Sequence, residues 1–448
     1  MEKNQTRKRI DYVLISVCYG GIGLKTYTNA DVTTLDYKNI NELEKRFGSS
    51  FYVVNVDKLR ENYKKIYNAF SSRYEDVVIG YSYKTNYLPY LCKELSKLGA
   101  YAEVVSRLEY DLALKLGENP KKIVFNGPLK TREDIHFALK NESIINLDSI
   151  YEVGYVKEYA SNNPEKQIKI GIRLNFDISQ NGFSPLQEGY EVSRFGVCVE
   201  NGDLLKVLNT FMRVNNIFVV GLHGHFSTRD RNVETYRKIT QKLCHIAKEN
   251  IIETLEYIDI GGGFYGELPK VFNKSVPSFD EYAEAICNIM HSEFHNSPKK
   301  PTLILEPGNA MVANTFSFIA KVIENKTIRN QNFVLVDGSV HNIKPTMHKL
   351  NLPMRIVRKH EEVNESKSFN IVGYTCMEKD YLAHEVHANL PEINDYIIFE
   401  NVGAYTIVFN PPFIKERPSI IVADQNNFFI VRKKETVKQF FNEEIYIF

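Results

Sequence analysis

Through the middle of the chain, apolar runs alternate with amphipathic stretches of helical period. Strand-like runs fall at 76–84, 100–105, 122–125, 143–147, 167–174, 217–225, 255–260 and 302–305. Between them the apolar positions recur every three to four residues, near 107–117, 131–140, 149–161, 202–213, 231–250 and 279–294. Leu88, Leu91, Leu95 and Leu98 share one helix face that stops at Gly99, and Asp57 is placed to cap a helix running to about Phe70. Eight strands separated by helices over about 260 residues predict an α/β chain with a (β/α)8 barrel of the TIM type. A doubly wound open sheet accommodates the same alternation.

After about residue 313 the rhythm changes to strand-like runs at 333–336, 369–374, 396–400, 419–423 and 428–431 with little helix between them. The expected organisation is an N-terminal segment, 1–48, whose apolar run Asp11–Cys18 ends at a Gly20-Gly21 turn and joins the β domain. A barrel follows over 49–312, then a C-terminal, mostly β domain over 313–448.

Composition narrows the function classes. Apolar residues make up 43% of the 448 positions and charged ones 25%, enough for a large core in a globular protein. Lys and Arg total 56 against 55 for Asp and Glu, so the balance of +1 gives no field for nucleic acid or an anionic membrane. No run is long enough to cross a bilayer, and the N-terminus lacks a signal-like apolar segment; a cytoplasmic protein is expected. The six cysteines are scattered without zinc spacing, which fits reduced thiols.

Active groups of a barrel sit at the C-terminal ends of its strands. The first strand ends at Lys84, the sixth in Gly221-Leu222-His223-Gly224-His225-Phe226-Ser227-Thr228, the seventh in Asp259-Ile260-Gly261-Gly262-Gly263 and the eighth in Glu306-Pro307-Gly308-Asn309. A lysine among tyrosines loses hydration, which lowers its pKa and frees the amine for attack on a carbonyl; a lysine simply reaching solvent is the plainer alternative. Gly261, Gly262 and Gly263 let backbone N–H groups approach a phosphate. An aldehyde for the lysine and a phosphate for the glycines together describe pyridoxal 5'-phosphate, with Glu306 placed to keep the pyridine nitrogen protonated. That strong electron sink suits decarboxylation better than racemisation. His223 and His225 point to one side of their strand; a metal pair competes with a ring-stacking role for His225, and no third ligand of suitable spacing follows.

These residues resemble the barrel-type (fold type III) pyridoxal-phosphate decarboxylases, the family of diaminopimelate and ornithine decarboxylases. The resemblance rests on Tyr83-Lys84-Thr85-Asn86, Ala102-Glu103-Val104-Val105-Ser106, Ser193-Arg194-Phe195-Gly196, the His225 stretch, Asp259-Ile260-Gly261-Gly262-Gly263, Glu306-Pro307-Gly308, Gly373-Tyr374-Thr375-Cys376 and Gly403-Ala404-Tyr405. It implies a Schiff base on Lys84, His225 stacked on the pyridine ring, and phosphate held by Gly261–Gly263, Thr228 and the backbone after Gly308. It also implies Glu306 at the ring nitrogen, Arg173 supporting Glu306 or the ring oxygen, and Tyr405 near the phosphate. Cys376 would donate a proton from the neighbouring subunit of a head-to-tail homodimer.

Departures from the family pattern fall at positions that touch substrate. Asn309 stands where diaminopimelate decarboxylases carry an arginine, and Met377 where an acid follows the cysteine; Glu378 and Asp380 are nearby candidates for amine recognition. Ser227 and Thr228 replace the usual glycine and hydroxyl of the histidine stretch. The expected substrate is therefore an amino acid or a modified or conjugated one, as in siderophore or other secondary-metabolite pathways. A diaminopimelate, ornithine or lysine decarboxylase proper, or a racemase or epimerase on the same fold, is the alternative. A non-catalytic relative binding a partner protein would be expected to lose Lys84 or Cys376, and both are present.

Overall fold

The computed structural model describes residues 35–179, 182–297, 300–360, 366–425 and 427–447. Eighteen strands appear among them: β1 Phe51–Asn55, β2 Val77–Ser82, β3 Tyr101–Val104, β4 Ile123–Phe125, β5 Ile144–Leu147, β6 Ile168–Asn175, β7 Val197–Cys198, β8 Ile217–His223 and β9 Tyr257–Asp259. They continue with β10 Thr302–Leu305, β11 Phe316–Ile328, β12 Gln331–Val336, β13 Met354–Val357, β14 Ser366–Val372, β15 Tyr381–Asn389, β16 Tyr396–Glu400, β17 Ser419–Asp424 and β18 Asn427–Arg432. The run β2-β3-β4-β5-β6-β8-β9-β10 is parallel throughout, and β10 pairs with β2, so the ring closes into an eight-stranded barrel. The open-sheet alternative is excluded by that pairing. Closure places the C-terminal ends of the first and eighth barrel strands side by side, and with them Lys84 and Glu306.

Several barrel helices are started by a side-chain cap. Asn55, rather than Asp57, caps the helix Val56–Ser71 by accepting from Lys58 N; Asp57 lies in its first turn, where a negative charge complements the helix dipole. Thr131 and Asp134 form a capping box at Arg132–Lys140, and Ser278 and Glu281 another at Phe279–Phe294. Inside the ring, room is made by missing side chains: a Cβ on Gly221 would lie 2.1 Å from Tyr257 Cζ, and one on Gly171 2.0 Å from its hydroxyl. The phenol of Tyr257 thereby reaches into the barrel interior.

The second sheet is mixed and runs β15-β14-β12-β11-β1-β17-β18, with β16 beside β11 and β13 beside β16. β1, within the stretch expected to belong to the barrel, pairs here instead, antiparallel to β11 and parallel to β17, with Phe51–Val54 buried. An unbroken apolar run with both faces covered suits that central place. The long β11 joins β1 and β16 through its first half and β12 through its second, after a register shift between Val322 and Glu324. The expected strand at Asp11–Cys18 and the turn at Gly20-Gly21 lie outside the described residues. From residue 35 onward the segment forms the helix Tyr37–Phe47, whose Ile40 and Leu43 pack with Phe51, Val53 and Ile421. Among the described residues no helix is long and apolar enough to cross a membrane.

One buried acid makes the barrel's stability depend on pH. Glu109 accepts from Val105 N at 2.8 Å just after β3 and is 5% exposed. Burial pushes its carboxyl up to about 7. An acid with a raised folded pKa favours the fold below its unfolded pKa and loses that stability as pH rises toward 7, about 3 kcal/mol in all. Glu109→Gln, which keeps the acceptor, is expected to be more stable than the wild-type protein at pH 8 and close to it at pH 4.5, measured by urea unfolding. Equal stabilities at pH 8 would contradict the burial argument.

Candidate active site

β2 ends at Ser82, and the short 3-10 turn Tyr83–Thr85 swings Lys84 over the barrel mouth. Asn86, fully buried, fixes the turn by donating to Gly403 O at 2.8 Å and accepting from Leu88 N, while Tyr405 N donates to Thr85 O at 2.9 Å. The loop around Gly403 therefore clasps the lysine turn from the mixed sheet. Tyr405 itself has φ +58° and stacks on Phe409. On the other side, Ser82 N donates to Pro307 O, and a Cβ on Gly308 would lie 2.1 Å from Thr85 Oγ1. A side chain at Gly308 would separate the two turns.

Lys84 Nζ donates to Glu103 Oε2 at 2.6 Å. Glu103 is completely buried and also accepts from Ser82 Oγ and, at 3.1 Å, from Asn126 Nδ2. Burial works to lower the Lys84 pKa, as expected, but the charges of Glu103 and Glu306 outweigh it and raise the amine above its ordinary value. In the protein alone the group is an ammonium, not the free amine expected from burial. The reason is Glu103, whose charge in a low-dielectric interior acts at close range.

Glu306 accepts from Asn126 Nδ2 at 2.5 Å, and its second oxygen lies 3.5 Å from His223 Nε2. Burial opposes its ionisation, yet His223, Lys84 and Asp259 hold it well below the usual carboxylate range. Asp259, buried beside it, is pushed well above that range by burial and by the Glu306 charge, so the proton of the pair sits on Asp259. His223, Asp259 and Glu306 bring one polar side-chain atom each within 4.8 Å of one another, and His225 is not among them, so the His223 and His225 pair is not what clusters here. Asp259 Oδ2 and both ring nitrogens of His223 are buried without a hydrogen-bond partner.

The triple glycine follows directly. Gly262 N donates to His225 Nδ1 at 3.0 Å, Gly261 N to Asp259 Oδ1 at 2.9 Å, and Glu306 N to Gly261 O at 2.8 Å. Gly261 and Gly263 have φ of +66° and +92°, and a Cβ on Gly262 would meet Glu306 O at 2.0 Å. His225 is held well below its ordinary pKa by burial, then by Arg173 and Lys84, so its ring is neutral. This arrangement suits a flat, phosphorylated cofactor: a turn of three glycines with no room for side chains, a neutral ring, an anionic carboxylate and an amine on one mouth.

The other expected site residues are placed as follows. Arg173 Nη1 donates to Asp148 Oδ1 at 2.9 Å and Nη2 to His225 O at 3.0 Å; it makes no hydrogen bond to Glu306, because Asp148 at the end of β5 takes its guanidinium. Thr228 is buried and its backbone bridges to Leu186. Asn309 opens the short helix Asn309–Val312. Beside His225 a cavity of about 530 Å³ is lined by Arg173, Gln187, Tyr190, Arg194 and Phe195. Cys376 and Glu378 are exposed and Met377 partly so, on a loop that shares no hydrogen bond or ion pair with the Lys84 cluster among the described residues. Asp380, a candidate for amine recognition, is instead the buried anchor of that loop. It is buried and accepts from Thr375 N at 2.9 Å, Val340 N at 2.7 Å and Ser339 Oγ at 3.1 Å, so its carboxylate is turned to the protein rather than to a ligand amine.

Four residues of the site carried no expected role: Glu103, Asn126, Asn146 and Tyr257. The signal available for the first three is a polar residue inside an otherwise apolar strand run.

The chain was compared with known proteins. Residues 56–313 match the family model described as pyridoxal-dependent decarboxylase, pyridoxal binding domain. A diaminopimelate decarboxylase of Methanocaldococcus jannaschii is 28% identical over 420 residues, 90% of this chain and 93% of the relative. One of Helicobacter pylori is 27% identical over 415 residues, 91% of this chain and 98% of the relative. The crystal structure of diaminopimelate decarboxylase from M. jannaschii superposes with a TM-score of 0.81 at 26% identity, covering 91% of this chain and 94% of that one. With the barrel, the amine and the glycine cradle in place, the chain belongs to the pyridoxal-dependent decarboxylases: it is a carboxy-lyase that acts on an amino-acid substrate with pyridoxal 5'-phosphate.

Proposed function

We propose that Lys84 carries the cofactor, that Glu306 meets its ring nitrogen, and that the substrate is a diamino diacid of the diaminopimelate type. The observation that carries the proposal is one hydrogen-bonded path, Lys84 to Glu103 to Asn126 to Glu306, whose last member donates its N–H to the carbonyl of Gly261. The cofactor, when bound, supplies an aldehyde that captures an amine and a pyridine ring that, protonated at nitrogen, takes up the electron pair released as CO2 leaves. The chain's own residues prepare the rest. Glu306, ionised and buried, holds a proton on a ring nitrogen opposite it. Neutral His225 offers a flat face to stack on, and Gly261–Gly263, Thr228 and the backbone from Gly308 to Asn309 form the phosphate site, with Tyr405 at its edge. Arg173 fixes the carbonyl of His225. Glu103 keeps the Lys84 proton until the amine is needed.

Cys376 would supply a proton to the product carbon in the site of a second subunit, since it is exposed and its loop, anchored by Asp380, shares no hydrogen bond or ion pair with the lysine cluster of its own chain among the described residues. This implies a head-to-tail homodimer with shared sites.

Two findings favour the diacid. The relatives described above are diaminopimelate decarboxylases, and the M. jannaschii enzyme has also been crystallised with L-lysine, which is the decarboxylated product of diaminopimelate. Lys344 is also 2% exposed, forms no ion pair among the described residues, and donates only to Leu350 O at 3.3 Å. Burial lowers its pKa to about 8, and burial together with the Lys344 charge lowers His348 and His384 as well. Lys344 directly follows the Val340–Ile343 helix that Asp380 ties to the Cys376 loop, so a buried cation lacking its anion adjoins the loop expected to meet substrate. A modified or conjugated amino acid, as in siderophore or other secondary-metabolite pathways, is the second reading. Asn309 and Met377 favour it, because neither supplies the charge that arginine and an acid would.

Three outcomes are expected. Purified protein absorbs in the visible and releases CO2 from meso-diaminopimelate faster than from ornithine, lysine or conjugated amino acids, and Lys84→Ala is colourless and inactive. CO2 from a conjugate alone would favour the second reading, and α-proton exchange without CO2 would favour a racemase. Lys344→Met raises KM for the diacid about tenfold or more and leaves that for a monoacid unchanged; equal effects on both would remove Lys344 from substrate recognition. Glu103→Gln removes the charge that raises Lys84, so cofactor loading of the apo-protein reaches its maximal rate at lower pH than in the wild type, followed by the visible band. An unshifted loading profile would show that Glu103 does not govern the amine.

A further inference from the structure

A single neutral side chain touches both carboxylates of the proposed machinery. Asn126, 4% exposed and directly after β4, donates through Nδ2 to Glu103 Oε1 at 3.1 Å and to Glu306 Oε1 at 2.5 Å. Its Oδ1 accepts from Asn146 Nδ2 at 2.9 Å, and Asn146 Oδ1 accepts from the hydroxyl of Tyr257 at 2.7 Å. Asn126, Asn146 and Tyr257 are all buried.

The direction of this chain has one consistent solution. Ionised carboxylates only accept, so Asn126 must present its NH2 to them and its carbonyl to Asn146. Asn146 must then present NH2 upward and carbonyl downward, where a tyrosine hydroxyl is the donor that ends the series. Reversing Asn126 would set its carbonyl against the carboxylates, and reversing Asn146 would set two amide carbonyls against each other. The void that admits the phenol exists because positions 171 and 221 are glycine, and without it Asn146 would lose its orienting donor. Glu103 and Glu306 both accept from this one NH2 group, so the placement of one carboxylate is tied to that of the other.

We infer that Asn126 is a positioning residue that couples the two halves of the site: through Glu306 it sets protonation of the cofactor's ring nitrogen, and through Glu103 it sets the aim of the Lys84 amine. This rests on the roles proposed above for Lys84 and Glu306. Tyr257 and Asn146 act through it and fix its orientation from the barrel floor.

The test uses holoenzyme and apo-protein of Asn126→Leu and Tyr257→Phe. Asn126→Leu is expected to lower kcat about 10- to 100-fold with KM changed less than threefold. It should shift the pH midpoint of the bound cofactor's visible spectrum and weaken apo-protein affinity for pyridoxal phosphate. Affinity for the 1-deaza analogue, which has carbon in place of the ring nitrogen, should be weakened less. Tyr257→Phe should produce the same pattern at smaller amplitude, and it serves as the test if Asn126→Leu does not fold. A spectral pH midpoint and analogue discrimination identical to wild type in the folded variants would overturn the inference. The underlying roles fail separately: a Lys84→Ala protein that keeps the visible chromophore, or a Glu306→Gln protein with unaltered discrimination between the cofactor and its deaza analogue, would remove the premise rather than Asn126's part in it.

Discussion

The ion pair between Lys84 and Glu103 inside the barrel mouth is the interaction on which the site depends. A completely buried carboxylate is costly unless it is paired and hydrogen-bonded, and Glu103 accepts from Ser82, Lys84 and Asn126. That arrangement requires β2, β3 and β4 to be neighbours in parallel register, so that Ser82 lies opposite Glu103 and the residue after Phe125 rises beside it. Ring closure through β10 then adds Glu306 to the same cluster. The electrostatics are a consequence of barrel topology, since Lys84, Glu103, Asn126 and Glu306 come from four different strand ends.

The same constraint explains how two carboxylates and a third acid share one interior. Glu306 is negative because His223 and Lys84 face it, and Asp259 takes the proton because it does not have equivalent support. A low-dielectric site forces such a division of charge: like charges at close range separate into one ionised and one neutral partner. The neutral state of His225 follows from the same field, with Arg173 and Lys84 as its positive neighbours.

Much of the barrel was legible in the sequence because a strand buried on both faces must be apolar along its length, and the helices between strands must carry an apolar stripe. That Lys84, the triple glycine and Glu306 share one face of the barrel was legible because each directly follows the end of a barrel strand. Asn126 and Asn146 were not legible, since a neutral amide has no motif and its value appears only when the fold sets an acid against it. β11 escaped because its second half is polar and exposed, so periodicity shows only its beginning. The strand β1 went unread, and its residues fell within the expected barrel stretch, since an apolar pentapeptide does not reveal its partner strands. Asp380 was taken for a ligand group because sequence proximity to Cys376 does not show that its oxygens point back into its own loop.

The central claim is that Lys84 is the amine that holds the cofactor. Borohydride reduction of the loaded enzyme, followed by digestion and mass spectrometry, tests it most directly. The account predicts one phosphopyridoxyl label per chain, on the peptide containing Tyr83-Lys84-Thr85. A label on a different lysine, or none on a protein that still releases CO2, would contradict it.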